Sequence, residues 1–486
     1  MAGKLPITHG SGGALALALG AAALALPAAA GSAPRKLPAK VGLGVAGGGK
    51  AHELACGKTR SVREVRVGQR VVASVRVANR RRGSGAAALR RARLQLDRCD
   101  RGRWRRSASV VLGLAPHRRG GVRRFRRTLE LRDPEVLRVR AVVPGDSRRP
   151  RVVSSPAYIR ALATDVVDIP VSFRVVNRNG SSLPCMADGK SYDVRGRLIG
   201  SRTALGRGGG IAVYLHQIGL SSQYWNFKAV PGYDFAGELA RRGHVSLVLD
   251  QLGYGASSRA DGTQVCYGSE ADMASQIARR LKQGDYDAGG GQAARFSRVA
   301  LGSNGAAGFM VQPAAYSTGN VDALVVTGWA DQGYSQTLLK GATEENATCA
   351  SGGQPKDGQP GYVYTPPADI DFGGFYFADG DPRVVGAARA LRVLGPCGEP
   401  QSALAGVAAD QAHLREVQVP VLLVYGTKDA FFDDPRSAGA SQRDLYSGSR
   451  DATLAFIEGA GQALALERSA PRFRDLVSDW LAARGF

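Results

Sequence analysis

The hydrophobic pattern of this chain changes period near residue 165, and no single layer architecture serves both halves. From about residue 53, apolar residues alternate with polar ones. Val65-Arg66-Val67, Val75-Arg76-Val77 and Leu137-Arg138-Val139-Arg140-Ala141 each put apolar side chains on one face and arginine on the other. Turn residues separate the runs at Asn79, Gly83-Ser84-Gly85, Gly120-Gly121 and Pro144-Gly145-Asp146. Short strands with no long helical pattern predict a small all-β domain over residues 53–163. From residue 166 the pattern becomes alternating strand and helix. Strands are expected at Ile169–Val175, Tyr192–Leu198, Ile211–His216, Val245–Asp250, Arg298–Gly302, Val321–Thr327 and Val419–Tyr425. Helices are expected at Phe235–Arg242, Ser269–Lys282 and Ala470–Ala483. That order predicts a doubly wound α/β domain over 166–486. A Gly-, Pro- and Tyr-rich stretch at about 331–415 reads as a cap inserted between two strands.

Charge divides the chain at the same place. Residues 34–160 carry 34 Lys+Arg against 8 Asp+Glu, whereas residues 161–486 carry 30 against 33. The outward arginines suit a polyanionic cell-envelope surface. No aromatic platform accompanies them, which argues against nucleic acid, and a merely solvated face fits the same pattern. Upstream, Lys4, the apolar run Ala14–Leu26 and Pro27-Ala28-Ala29-Ala30 read as a signal peptide over residues 1–33, so the chain is expected to be secreted, or held at the cell envelope. Gly-rich residues 34–52 read as a linker. No later run approaches the ~18 apolar residues of a membrane span. Six cysteines without C-x-x-C spacing fit disulfides rather than a metal, with Cys56–Cys99 and Cys349–Cys397 the expected pairs. No cofactor is implied.

Five segments in order carry the chemistry. They are Tyr214-Leu215-His216-Gln217-Ile218-Gly219, Asp250-Gln251-Leu252-Gly253-Tyr254-Gly255-Ala256-Ser257, Val299 to Gly308, Val419 to Asp429, and Gly459-Ala460-Gly461-Gln462-Ala463. Together they resemble the α/β-hydrolase superfamily, in its secreted esterase- and lipase-like form. The all-β region resembles an immunoglobulin- or fibronectin-like sandwich. The hydrolase resemblance implies an oxyanion loop at His216, Gln217 and Ile218, a nucleophile elbow near residue 305, an acid at Asp429, and a base where Gln462 stands.

The elbow allows two registers. Its strand-to-helix turn needs small residues on both sides of the nucleophile. With Val299-Ala300-Leu301 on the strand, Ser303 takes the first small position, Gly305 the nucleophile position, and Ala307 and Gly308 the trailing small ones. The site then has no nucleophile. In the other register Ser303 is the nucleophile, and Leu301 stands where a small residue is wanted. Histidine bears on the choice independently. The six are His9, His52, His117, His216, His244 and His413, and none follows Asp429, where this fold carries its base. The amide of Gln462 cannot relay a proton near neutral pH. The backbone amides, that of Ala306 among them, survive any such loss.

Three functions follow from this reading: a non-catalytic binder of an apolar or ester-like small molecule, an active carboxylic ester hydrolase using Ser303, or an envelope attachment protein working through its basic domain. Asp331, Asp369, Asp371, Asp379 and Asp381 lie in one region, but their spacing does not demand a calcium ion.

Overall fold

A computed structural model describes residues 39–79, 91–100, 102–113, 122–145 and 151–486. The expected signal peptide lies outside the described residues. Ten strands come first: β1 (Ala39–Ala46), β2 (Gly49–Ala55), β3 (Lys58–Arg66), β4 (Arg70–Asn79), β5 (Arg91–Asp100), β6 (Arg103–Gly113), β7 (Val122–Glu130), β8 (Glu135–Val143), β9 (Val152–Val153) and β10 (Ala157–Leu162). They form two sheets, β1-β4-β7 and β2-β3-β10-β8-β5-β6, with β9 beside β8. The alternating pattern explains the shared core. Val71, Val75 and Val77 of the first sheet meet Leu94, Val139 and Ile159 of the second in one buried cluster. Residues 39–46 and 49–52, expected as linker, are instead strand. Val41, Leu43 and Val45 alternate with glycines and stand opposite Val77, Val75 and Ala73 of β4, so an apolar face outweighs the flexibility of the glycines. Cys56 and Cys99 are joined.

The second unit follows at once. Its sheet runs β11 (Val166–Val176), β12 (Ser191–Ser201), β14 (Ser246–Asp250), β13 (Gly210–Leu215), β15 (Arg298–Asn304), β16 (Ala323–Thr327), β20 (Val421–Gly426), β21 (Ala452–Ile457). Numbered within the domain, the order is 1-2-4-3-5-6-7-8, parallel from the third position onward. β15, β16 and β20 are buried almost throughout, as strands covered by helices on both faces must be. The helices are α1 (Arg202–Arg207), α2 (Phe235–Arg241), α3 (Tyr267–Gln283), α4 (Gly308–Thr318), α5 (Gln336–Ala350), α6 (Phe372–Tyr376), α7 (Pro382–Ala390), α8 (Gly398–His413), α9 (Pro435–Leu445) and α10 (Ala470–Arg484). Between β16 and β20 lie α5–α8 and a small sheet, β17 (Gln354–Lys356), β18 (Gln359–Tyr364) and β19 (Leu394–Pro396). Cys349 at the end of α5 is bonded to Cys397 before α8, and Cys185 to Cys266. Among the described residues no helix is long and apolar enough to cross a membrane.

The two units touch on the side of α10. β2 packs against α10, Gly57 N donates to Asp479 at 3.2 Å, and Arg207 pairs with Asp133. Across the junction, Ala163 N donates to Arg241 O at 2.7 Å.

Candidate active site

The turn from β15 to α4 is tight, and its local sequence is small for steric reasons. A Cβ on Gly302 would meet the Tyr214 ring at 2.5 Å, and one on Gly308 would meet Trp329 Cδ1 at 2.3 Å. Between them Gly305 holds φ +53°, left-handed backbone that a side chain adopts only under strain. Ser303 sits lower. It is wholly buried within β15, opposite Leu215 on one side and Val326 on the other, and its Oγ has no hydrogen-bond partner. The structure does not bring Ser303 to the cavity above the turn.

Two glutamines crowd the tip. A Cβ on Gly305 would fall 1.7 Å from Gln217 Oε1 and 3.0 Å from Gln462 Nε2. Gln462 lies in the loop after β21, and its Nε2 donates to Gly328 O at 2.9 Å. Asp429 lies in the loop after β20. A Cβ on Gly328 would lie 1.9 Å from Gln462 Oε1 and 3.2 Å from Asp429 Oδ2, so Gly305, Gln462 and Asp429 share one corner. Asp429 Oδ1 accepts from Phe431 N at 3.0 Å, while Oδ2 is buried without a partner. Burial, aided by the Glu467 charge, pushes its carboxyl up to about 8 against the pull of the Phe431 amide.

Above this corner is a cavity of about 200 Å³. Gln217, Ile218 and Ala306 line it, together with Tyr267, Phe309, Trp329, Tyr334, Phe375 and Phe431. α5 contributes Leu338, Ala342 and Glu345, and α8 contributes Ala403, Leu404 and Val407. His216 was expected on its wall and is not there. The ring is buried, with Nδ1 3.1 Å from Gln217 O and its edge against Tyr254. Burial lowers it to about 4, so it is neutral. His244 is tied to Ser478 and Phe486 at the opposite end of the sheet, and His413 faces Glu416. No described histidine lines the cavity.

The five aspartates of the inserted region do not gather. Asp331 accepts from Gln442, Asp369 pairs with Lys340, Asp371 with Arg389, Asp379 with Arg468 and Asp381 with Arg383. Among the described residues no cluster could hold a metal ion. Glu345 is the lining residue that motif matching misses. Its signal was present: Leu338, Ala342, Glu345 and Cys349 recur at helical spacing, so a carboxyl interrupts an otherwise apolar stripe.

No family model matches the chain, and no curated protein matches it. It is similar to solved structures of an esterase from Thermogutta terrifontis (16% identity, 64% of this chain and 98% of that one, TM-score 0.43) and a monoglyceride lipase from Saccharomyces cerevisiae (13%, 63% and 96%, 0.46). A monoacylglycerol lipase from Paleococcus ferrophilus is similar over 56% of this chain and 93% of that one (15%, 0.41). The fold stands on the sheet itself. The strand order 1-2-4-3-5-6-7-8, with a sharp turn leading from its fifth strand into a buried helix, makes the second unit an α/β-hydrolase fold.

Proposed function

We propose that the protein is a secreted, non-catalytic member of the α/β-hydrolase superfamily that binds an apolar or ester-like small molecule beneath a cap formed by α5–α8. One observation carries this reading. The strained position at the elbow tip is Gly305, and the space a nucleophile's side chain would take is filled by Gln217. The base position holds Gln462, so nothing there accepts and returns a proton. Gln217, Ile218 and Ala306, whose backbone amides would supply an oxyanion hole, line an apolar cavity. The active-hydrolase alternative needs Ser303, whose hydroxyl is sealed inside the sheet. A fluorophosphonate probe applied to the folded protein tests the choice. We expect no covalent labelling. Labelling that disappears in Ser303→Ala makes the protein a serine hydrolase instead.

A second reading concerns the first unit, which we take as an immunoglobulin-like sandwich that holds the protein on an anionic envelope. It is favoured by the outward face of β4 and β7. Arg76 stands directly opposite Arg124, with Arg126 two residues along, all exposed. Like charges directly opposed across strands are destabilising, and an anionic surface removes that cost. Retention of the full chain on phosphatidylglycerol vesicles should fall with salt and be lost in Arg124→Glu/Arg126→Glu. Retention unchanged by either makes this face a solvated one.

A further inference from the structure

We infer that the cavity is a seat for an organic cation: a small apolar body carrying an ammonium group, which Glu345 and the surrounding aromatic rings receive. This deepens the binder reading and rests on it. Six of the lining residues are aromatic, and Glu345 is the one lining residue of charged type among those described. Four of the rings form a continuous wall. Tyr267 lies 5.1 Å from Phe309, Phe309 4.6 Å from Trp329, and Trp329 5.8 Å from Tyr334, centroid to centroid. Aromatic rings attract cations through their quadrupole, most strongly where water is excluded.

Glu345 gives this wall its sign. The residue is 6% exposed and has no ion-pair partner among the described residues, with only the Thr365 hydroxyl and the Arg392 charge to favour its ionised form. A carboxyl in that position is costly unless something neutralises it. The groups that face it are Arg392, Glu344, Glu399, Thr365 and the phenols Tyr267 and Tyr376. Arg392 fills the role only in part, its charge lowering the carboxyl without forming an ion pair among the described residues. Its guanidinium donates to Thr365 O at 3.2 Å and to Pro366 O, and lies over the Tyr364 ring. Without a ligand the carboxyl meets the cost by holding a proton, burial raising it to about 8. A bound ammonium replaces that proton, which leaves to solvent. Size agrees with the assignment. Dry cavities of ~150 Å³ accept benzene, so about 200 Å³ takes a substituted ring. Leu404, 83% exposed, stands at the rim on α8 and offers an apolar entrance.

The test uses phenyltrimethylammonium and its uncharged isostere tert-butylbenzene, titrated into the full chain while tryptophan fluorescence and heat are followed. The cation should bind ~tenfold or more tighter than the isostere at pH 9. At pH 7 its binding should release close to one proton, read from titrations in buffers of different ionisation heat. Glu345→Gln, which keeps the neutral shape, should lose the preference and the proton release. If both probes bind equally and no proton is released, the cation seat is wrong while the binder reading stands. If neither binds, both fall. The proton count on the parent protein decides the matter even should the variant fail to fold.

Discussion

At the scale of single residues, the elbow is where sequence and structure divide the work. Small-residue spacing favours Gly305 over Ser303 for the nucleophile position, and the hydrolase resemblance implies Gln462 at the base position. The spacing says nothing about Gln217, because it records which backbone positions must be small and not which neighbour fills the space left over. That omission changes a prediction. Restoring the pair with Gly305→Ser and Gln462→His would suffice if the tip were open, since nucleophile and base act as a unit and Asp429 is already nearby. It is not open: the new Cβ would fall 1.7 Å from Gln217 Oε1. We therefore expect the double variant, in which the flexible end of Gln217 must give way, to be less active toward nitrophenyl acetate than Gly305→Ser/Gln462→His/Gln217→Ala. A side chain at φ +53° costs of order 1–3 kcal/mol, so all variants need a check of thermal midpoint. Equal activity in double and triple would mean that Gln217 swings aside at no cost.

At the scale of elements, strands covered on both faces were the easiest to read. β13, β15, β16 and β20 are near-continuous apolar runs, and they lie within two residues of the expected spans. The eighth strand, Ala452–Ile457, leaves little trace in the sequence because it is an edge strand paired on one side only and is largely half-buried, so its pattern is weak. β1 and β2 were lost to their glycines, for composition suggests a linker wherever cross-strand partners are out of view. The inserted region was legible as an insertion but not in its content. β17–β19 are stretches of three to six residues whose pairing depends on a turn and a disulfide rather than on periodicity. The junction at residues 163–165 is a further case. A step in charge and pattern suggests an exposed hinge, yet Ala163 is 7% exposed and Asp165 O accepts from Arg202 N. The boundary is sharp in topology and closed in space.

At the scale of the whole molecule, the two units carry opposite electrostatic problems. The first gathers cations on its surface, whereas the second buries carboxyls. Asp331 is raised to about 7, Glu345, Glu399 and Asp429 to about 8, and Glu270 and Asp410 well above their ordinary values, in each case chiefly by burial. In the unfolded chain these groups ionise near pH 4. Between about pH 4 and 8 the folded state therefore binds more protons than the unfolded one, and stability falls as pH rises. The sign is opposite to that of a protein held by ionised carboxylates. The predicted consequence is a thermal midpoint for the second unit's transition that declines steadily from pH 5.5 to 9. The decline should be shallower in Glu345→Gln and in Asp429→Asn, since each removes one titrating group without changing the shape of the cavity. Calorimetry at matched ionic strength separates this from the first unit, whose exposed arginines respond to salt instead. A midpoint that rises with pH across this window would mean that the carboxyls are ionised in the folded protein, and that the neutral acid in the cavity wall is not there.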